Sequence, residues 1–242
     1  MEGLLVSVIK RPYVFIFLIT YLILAWKRWG AVKTLVWLIS GYAIAWASEF
    51  SSINTGFPYG EYHYIYENMP GELMVAGVPF FDSLSYPFLV FAGFTTAEYI
   101  TPLKTKFRMP LVIFISALLT TILDIIIDPV AKLGSKWFLG EIYYYAKGGW
   151  YFNVPTSNFK GWFLVALIIA LFNVVIWSFI PNKKEMRYPH AIYPAFYVGI
   201  AMFNISISFM IGADWLGMAS TIILLAVIGA IACGKRARRA LP

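Results

Sequence analysis

The chain has 242 residues, of which 60% are hydrophobic and only 13% are charged. Soluble domains carry about 25% charged residues, so this composition excludes an ordinary soluble protein and indicates an integral membrane protein. Lysine and arginine exceed aspartate and glutamate by 19 to 12. Because the basic residues lie in short connections between apolar segments, they indicate membrane topology and argue against nucleic-acid binding.

Residues that bind metals or form disulfides are scarce. Cys233 is the only cysteine, and His63 and His190 are the only histidines. A single cysteine excludes an internal disulfide and a thiolate metal cluster. With only two histidines, a zinc or haem site is not expected; a metal site built of carboxylates alone stays open, but nothing in the sequence supports it. We predict that the protein uses no cofactor.

Seven apolar segments follow one another, most of them near the roughly 17 to 25 residues that cross a bilayer core. They comprise residues 12–26, 31–50, 79–100, 110–127, 162–179, 192–211 and 215–233. The first segment follows two basic residues, as a secretory signal would, but no small-residue cleavage site ends it, so we predict a retained helix. The predicted fold is a single all-α membrane domain over residues 1–242, a bundle of about seven transmembrane helices.

The basic residues predict how this bundle is oriented. One set of segment ends carries thirteen of them, at positions 27, 28, 33, 104, 106, 108, 183, 184, 187, 235, 236, 238 and 239. The other set carries six, at positions 10, 11, 132, 136, 147 and 160. The positive-inside rule then predicts an outer amino terminus and a cytoplasmic carboxyl terminus, with Lys10 and Arg11 counting against it.

Two long connections, residues 51–78 and 129–161, fall on the outer side in this topology. Both are rich in glycine, proline, tyrosine and tryptophan. Glycine and proline favour tight turns, whereas tyrosine and tryptophan favour the membrane interface. We expect these loops to cap the bundle and to form part of the functional site.

Two carboxylates, Asp124 and Asp128, end an apolar run that begins at Leu111. Four residues make about one helical turn, so the two side chains share a face, with Cβ atoms about 5 to 6 Å apart. Two acids that close repel each other and lose solvation, so one of them can hold a proton near neutral pH. Pro129 is expected to stop the helix there, because it has no backbone N–H to donate.

Other polar residues converge at the same predicted depth. Glu49 closes the second segment and Asp82 opens the third, so four carboxylates from three segments meet near the outer surface. Charged residues inside a span cost about 2.5 to 3.5 kcal/mol at its centre, so each needs a reason. The plain alternative is that each acid caps a helix or reaches the interface, and that the loop aromatic residues form an interfacial belt.

Four sequence motifs together resemble the membrane carotenoid hydratases of the CruF type, a family that includes bisanhydrobacterioruberin hydratase and the carotene 1'-hydratases. The motifs are Gly-Phe-Pro-Tyr-Gly-Glu-Tyr-His-Tyr at 56–64, Gly-Val-Pro at 77–79, Asp-Ile-Ile-Ile-Asp-Pro at 124–129 and Gly-Trp-Tyr-Phe-Asn-Val-Pro-Thr-Ser-Asn-Phe-Lys-Gly-Trp at 149–162. The resemblance covers residues 49 to 162. Asn153 stands where the family motif is expected to have glycine.

The resemblance implies hydration of the terminal double bonds of an acyclic carotenoid with 40 or 50 carbon atoms. It also implies a multi-pass protein of an archaeal or bacterial cell membrane, with the bilayer and other carotenoid-pathway membrane enzymes as partners. The reaction needs an acid, a place for a carbocation and a positioned water. We predict Asp124 or Asp128 as the acid, and its partner or Asp82 as the base. The small side chains of Ala92, Gly93, Ser116 and Ala117 are expected to make room for the polyene.

The complete predicted site has two groups of residues. The catalytic candidates are Asp124, Asp128, Asp82, Glu61 and Glu49. The substrate-binding candidates are Tyr59, Tyr62, Tyr64, His63, Tyr86, Trp150, Tyr151, Asn153, Asn158 and Asn204.

Two other functions stay open at this point. A carotenoid cyclase begins with the same protonation and then closes a ring, and a proton-coupled transporter also works with buried carboxylates. A retinal photoreceptor is nearly excluded, because the last segment has no lysine before Lys235.

Overall fold

The structure, a computed structural model, describes residues 2–102, 104–181 and 190–239. This part of the chain forms eight α-helices: α1 (Glu2–Lys10), α2 (Pro12–Trp29), α3 (Ala31–Thr55), α4 (Phe80–Ile100), α5 (Arg108–Lys132), α6 (Thr156–Trp177), α7 (Ile192–Met210) and α8 (Asp214–Arg239). Four short strands are β1 (Tyr62–Tyr64), β2 (Met74–Val75), β3 (Val78–Pro79) and β4 (Tyr143–Tyr145).

The predicted all-α bundle is confirmed, and each of the seven apolar segments corresponds to one of the helices α2 to α8. Five of these are long and apolar enough to cross a membrane alone. Taken together, α1 and α2 make a sixth candidate span, bent by 92° where they join. The orientation stays a prediction; Lys183, Lys184 and Arg187 lie outside the described residues, as do the side chains of 235–239.

Two boundaries differ from the sequence prediction. The short helix α1 was not predicted, because its nine residues are too few for a span. Pro129 was expected to end its helix, but α5 continues to Lys132. A proline removes only its own N–H donor, and here its helix has less than one turn left, so the last residues of α5 keep their helical form.

Helix α4 is the centre of the bundle and is buried along nearly all of its length. Ion pairs hold both of its ends: Asp82 pairs with Arg11, the residue just before α2, and Glu98 pairs with Arg28 of α2. Because α4 is enclosed by protein, its Asp82 and Glu98 are shielded from lipid. Its apolar character can therefore be weaker than that of the outer helices, and α4 is not among the five candidate spans.

Small residues bring α4 into direct contact with α5. A Cβ atom added at Gly93 would lie 2.6 Å from Thr120 Oγ1 and 2.9 Å from the Ser116 carbonyl oxygen. Ala92 and Ala117 are fully buried nearby. The expectation that these small residues make room for a polyene is therefore wrong, because the neighbouring helix already occupies the space.

The two long loops meet in an antiparallel pair of strands, β1 and β4. Tyr62 pairs with Tyr145, His63 with Tyr144, and Tyr64 with Tyr143. Alternate residues of a strand face opposite sides. Tyr62, Tyr64 and Tyr145 are buried, whereas His63 and Tyr144 are exposed, so this sheet turns a tyrosine-rich face towards the bundle.

Candidate active site

A cavity of about 170 Å³ lies between the helices and the tyrosine face of the β1–β4 sheet. The charged residues that line it are Arg11, Glu49, Asp82, Asp124 and Asp128. Most of the rest of the wall is aromatic or aliphatic. The cavity therefore combines several acids with a largely apolar surface.

Asp124 and Asp128 form one acidic centre on α5, and both are buried. Asn158 of α6 lies against them, and its Nδ2 donates to Asp124 Oδ2 at 2.8 Å and to Asp128 Oδ2 at 3.2 Å. Tyr145 also donates to Asp128 Oδ2, at 2.8 Å, and Tyr143 donates to Asp128 Oδ1. The two acids are thus held by groups from α6 and from β4.

The donors are divided unequally between the two carboxyl groups. Asp128 accepts three hydrogen bonds, whereas Asp124 accepts one. An ionised carboxylate only accepts hydrogen bonds, while a protonated one also carries a donor. Three donors therefore fit an ionised Asp128, and Asp124 keeps an oxygen that can carry a proton.

The hydroxyl groups of Tyr143 and Tyr145 are suited to remain donors. Burial and the nearby Asp128 raise the pKa of both tyrosines well above the ordinary value. The Lys132 ammonium group lies 5.7 Å from the ring centre of Tyr143 and 5.6 Å from that of Tyr145. Lys132, near the end of α5, therefore stabilises the position of both rings by cation–π contacts.

Glu49 forms a second acidic centre, contributed by α3. Its Oε2 accepts a hydrogen bond of 2.7 Å from Ser83 Oγ on α4, and its side chain is buried. Burial, then Glu49 and more weakly Asp124, raise the pKa of the loop residue Tyr59. Tyr59 therefore lies within the range of electrostatic interaction with both acidic centres.

Three rings form what we call the aromatic cluster: Tyr59, Tyr86 and Trp162. Tyr86 stacks on Trp162 with a centroid distance of 4.0 Å and an interplanar angle of 8°. Tyr59 lies 6.1 Å from Tyr86 and 6.4 Å from Trp162. All three line the cavity, so they present electron-rich faces beside the acids.

Asp82 is not an isolated acid. Arg11, just before α2, pairs with Asp82 and also with Glu72 Oε2 at 2.8 Å. The Arg11 side chain is only 3% exposed. In the sequence analysis, Arg11 was used only to predict the membrane orientation. In the fold, its positive charge pairs with Asp82, one of the four carboxylates in the cavity wall.

The predicted site residues divide into two sets in space. Ten line the cavity, namely Asp124, Asp128, Asp82, Glu49, Tyr59, Tyr62, Tyr64, Tyr86, Asn158 and Asn204. Five do not, namely Glu61, His63, Trp150, Tyr151 and Asn153.

The five that lie elsewhere have identifiable positions. Glu61 and His63 are exposed, His63 because it occupies the outer register of β1. Trp150 is 82% exposed and its Nε1 donates to Thr156 Oγ1, in a turn before α6. Tyr151 and Asn153 belong to the same turn, in which Asn153 has a positive φ of 65°.

Several cavity residues were not among the predicted site residues, and the most important for the chemistry are Arg11, Tyr143, Tyr145 and Trp162. The run Tyr143-Tyr144-Tyr145 was the available signal, because aromatic residues favour strands and a strand turns its first and third residues to the same side. Trp162 was placed at the end of the fourth motif and at the start of a span, without a role in the site. In the described part of the chain, no three or more acidic, histidine or cysteine side chains are grouped so that they could hold a metal ion.

The family model for carotenoid biosynthesis proteins matches residues 10–228. No curated protein and no solved structure matches the chain. The matched stretch includes Arg11, all four cavity carboxylates and the aromatic cluster. Because the match spans most of the sequence, this chain is a membrane protein that belongs to the carotenoid biosynthesis protein family.

Proposed function

We propose that the protein is a carotenoid hydratase, a cofactor-independent hydro-lyase that adds water to a terminal C=C bond of an acyclic carotenoid. The observation that carries the proposal is the buried centre of Asp124, Asp128 and Asn158 in a cavity that also presents aromatic faces. Membership of the carotenoid biosynthesis family supports a carotenoid as the substrate. Substrates such as bisanhydrobacterioruberin, with the terminal double bond still present, fit this chemistry.

Asp124 is the proposed acid. Its carboxyl proton moves to the less substituted carbon of the trisubstituted double bond, whose π electrons form the new C–H bond. Asp124 is left as a carboxylate, and the more substituted carbon becomes a tertiary carbocation. Asp128 stays ionised throughout, because Tyr143, Tyr145 and Asn158 saturate it with donors.

The aromatic cluster is the proposed site of the carbocation. A cation over a tyrosine or tryptophan face gains about 0.5 to 2 kcal/mol from each ring. Tyr86 and Trp162 are stacked and cannot turn independently, so the outer face of the pair is fixed in advance. Such a fixed surface favours the charged intermediate over the neutral substrate.

Glu49 is the proposed acceptor of the second proton. Water attacks the tertiary carbocation through its oxygen, and the proton that it releases moves to Glu49, so that the substrate gains one H₂O in total. Ser83 donates to one Glu49 oxygen, which leaves acceptor positions for a water molecule. Asp82 is less suited because Arg11 already pairs with it. Exchange with solvent then returns Glu49 and Asp124 to their starting states.

The test is expression in a host that accumulates acyclic carotenoids with terminal double bonds, followed by mass analysis of the pigments. We expect a gain of one or two water molecules with an unchanged chromophore. Asp124→Asn should abolish this gain while the protein stays in the membrane. Asp214→Asn is the matched control, because Asp214 is exposed at the start of α8 and should be dispensable.

Two results would contradict the proposal. An unchanged mass with altered retention on chromatography would indicate ring closure and a cyclase. Full water addition by Asp124→Asn would exclude Asp124 as the acid.

A further inference from the structure

Side chains fill the space between helices α2 and α7, which we call the seam. Both helices pack along α4, but they make almost no backbone contact with each other. Tyr13 of α2 stacks on Phe203 of α7 with a centroid distance of 5.3 Å and an interplanar angle of 23°. Phe17, one turn further along α2, lies 5.6 Å from Phe203.

This seam is continuous with the active-site cavity. Tyr13 and Phe17 line the cavity from one side, and Ile200 and Asn204 of α7 line it from the other. Residues four apart share a helical face, so each helix turns one continuous strip towards the cavity. Phe203 is only partly buried and lies next to these α7 residues, at the outer rim of the seam.

The outer side of the seam is apolar. Ile16 of α2 is 62% exposed, and Met202 of α7 is 55% exposed. On helices of a membrane protein such residues face the hydrocarbon core. A path from the cavity through the seam therefore ends in lipid and not in water.

The cavity is too small to enclose a carotenoid. Pockets for drug-sized ligands occupy about 300 to 1000 Å³, and this one has about 170 Å³. It can hold the reactive end of a long chain, and the remainder must leave the cavity. The contact between α4 and α5 offers no passage, since Gly93 already touches Ser116 and Thr120.

We propose that the polyene chain of the substrate lies in the seam between α2 and α7, beside Tyr13, Phe17 and Phe203, with its terminal double bond in the cavity. This inference rests on the proposed function for the identity of the ligand. The stacked rings of the seam offer a flat conjugated chain a matching apolar surface. The substrate then reaches the acids sideways from the bilayer and never passes through water.

The experiment blocks the seam after the protein has folded. Phe203→Cys is made in a Cys233→Ser background, so that the only thiol is at the seam. The purified protein in lipid nanodiscs is labelled with a bulky apolar maleimide. Binding of an acyclic carotenoid is measured from the induced circular dichroism of its chromophore, before and after labelling. Phe172→Cys, labelled in the same way, is the matched control, because Phe172 is 44% exposed on α6.

We expect labelling at position 203 to weaken carotenoid binding at least about tenfold, and labelling at 172 to change it less than about twofold. Unchanged carotenoid binding after labelling at 203, or equal loss at 172, would overturn the proposal. Since binding is measured without turnover, a protein that binds carotenoid but never changes its mass would refute the hydratase alone.

Discussion

One amide nitrogen of Asn158 donates to the carboxyl groups of both Asp124 and Asp128, at 2.8 and 3.2 Å. The contact joins α6 to the carboxyl-terminal part of α5 and sets the relative position of the two acids. Asn158 is 34 residues from Asp124 and 30 residues from Asp128 in the sequence, so the sequence alone gives no sign of this direct contact.

Replacing Asn158 by leucine should impair both catalysis and folding. The change removes both hydrogen bonds but keeps the size of the side chain, and leaving buried polar groups unpaired costs about 1 to 3 kcal/mol. Hydration should fall at least about 100-fold, since a positioned acid or base contributes about 10² to 10⁴. Initial rates and thermal midpoints in detergent measure the two effects.

Asn173→Leu separates these effects, because Asn173 is buried on the same helix and bonds Ser40 at 2.9 Å, away from the cavity. It should lower the thermal midpoint by a similar amount while the rate per folded molecule is retained. Equal loss of rate in both variants would refute a specific role for Asn158.

The tyrosines of β4 should make stability sensitive to alkaline pH. Burial and Asp128 raise the pKa of Tyr143 and Tyr145 above the unfolded value of about 10. The folded state then keeps these protons when the unfolded state loses them, so their contribution is complete below pH about 10 and declines as the pH rises further. We expect the thermal midpoint to fall above this pH.

Variants of β4 test this pH dependence. The double variant Tyr143→Phe, Tyr145→Phe should have a lower midpoint at neutral pH, because each lost bond to a charged acceptor costs about 1.5 to 3 kcal/mol, and a shallower decline above pH about 10. Tyr144→Phe, on the exposed side of the same strand, should keep the wild-type profile. An unaltered slope in the double variant would show that other groups cause the decline.

Arg11→Met should destabilise the protein strongly. The guanidinium group pairs with Glu72 and Asp82, and removing one member of a buried ion pair costs about 3 to 5 kcal/mol, because the remaining charges are uncompensated. Lys10→Met is the control, since its contact with the Pro70 carbonyl oxygen is exposed, and it should change stability by less than about 0.5 kcal/mol. Thermal unfolding in nanodiscs distinguishes them. A small effect at Arg11 would mean that water already screens these charges.

Gly161→Ala should distort the aromatic cluster. The added Cβ would lie 2.8 Å from the Pro58 carbonyl oxygen and 2.5 Å from Tyr59 Cδ1, so the loop must move. Overpacking of this kind costs about 1 to 3 kcal/mol, and displacement of Tyr59 should lower the hydration rate. Gly199→Ala meets no atom within 4 Å and should leave both quantities unchanged. Full activity in Gly161→Ala would mean that the position of Tyr59 is unimportant.

Composition and periodicity were enough to predict a membrane protein and its helical segments. In a bilayer, a long apolar segment can satisfy the hydrogen bonds of its backbone only as a helix, so the seven helical segments could be predicted without a structure. The spacing of Asp124 and Asp128 likewise placed them on one helical face. Motif resemblance pointed to the carotenoid family, which the match over residues 10–228 supports at the family level.

Only the tertiary structure decided which acids are paired and which rings face them. Arg11 and Asp82 are 71 residues apart, and Tyr143 reaches Asp128 only because β4 pairs with β1 from the other loop. Whether a loop aromatic faces the cavity or the surface depends on strand register, which placed Tyr62 inside and His63 outside. Such contacts depend on long-range packing of whole elements, and local propensity carries no information about them.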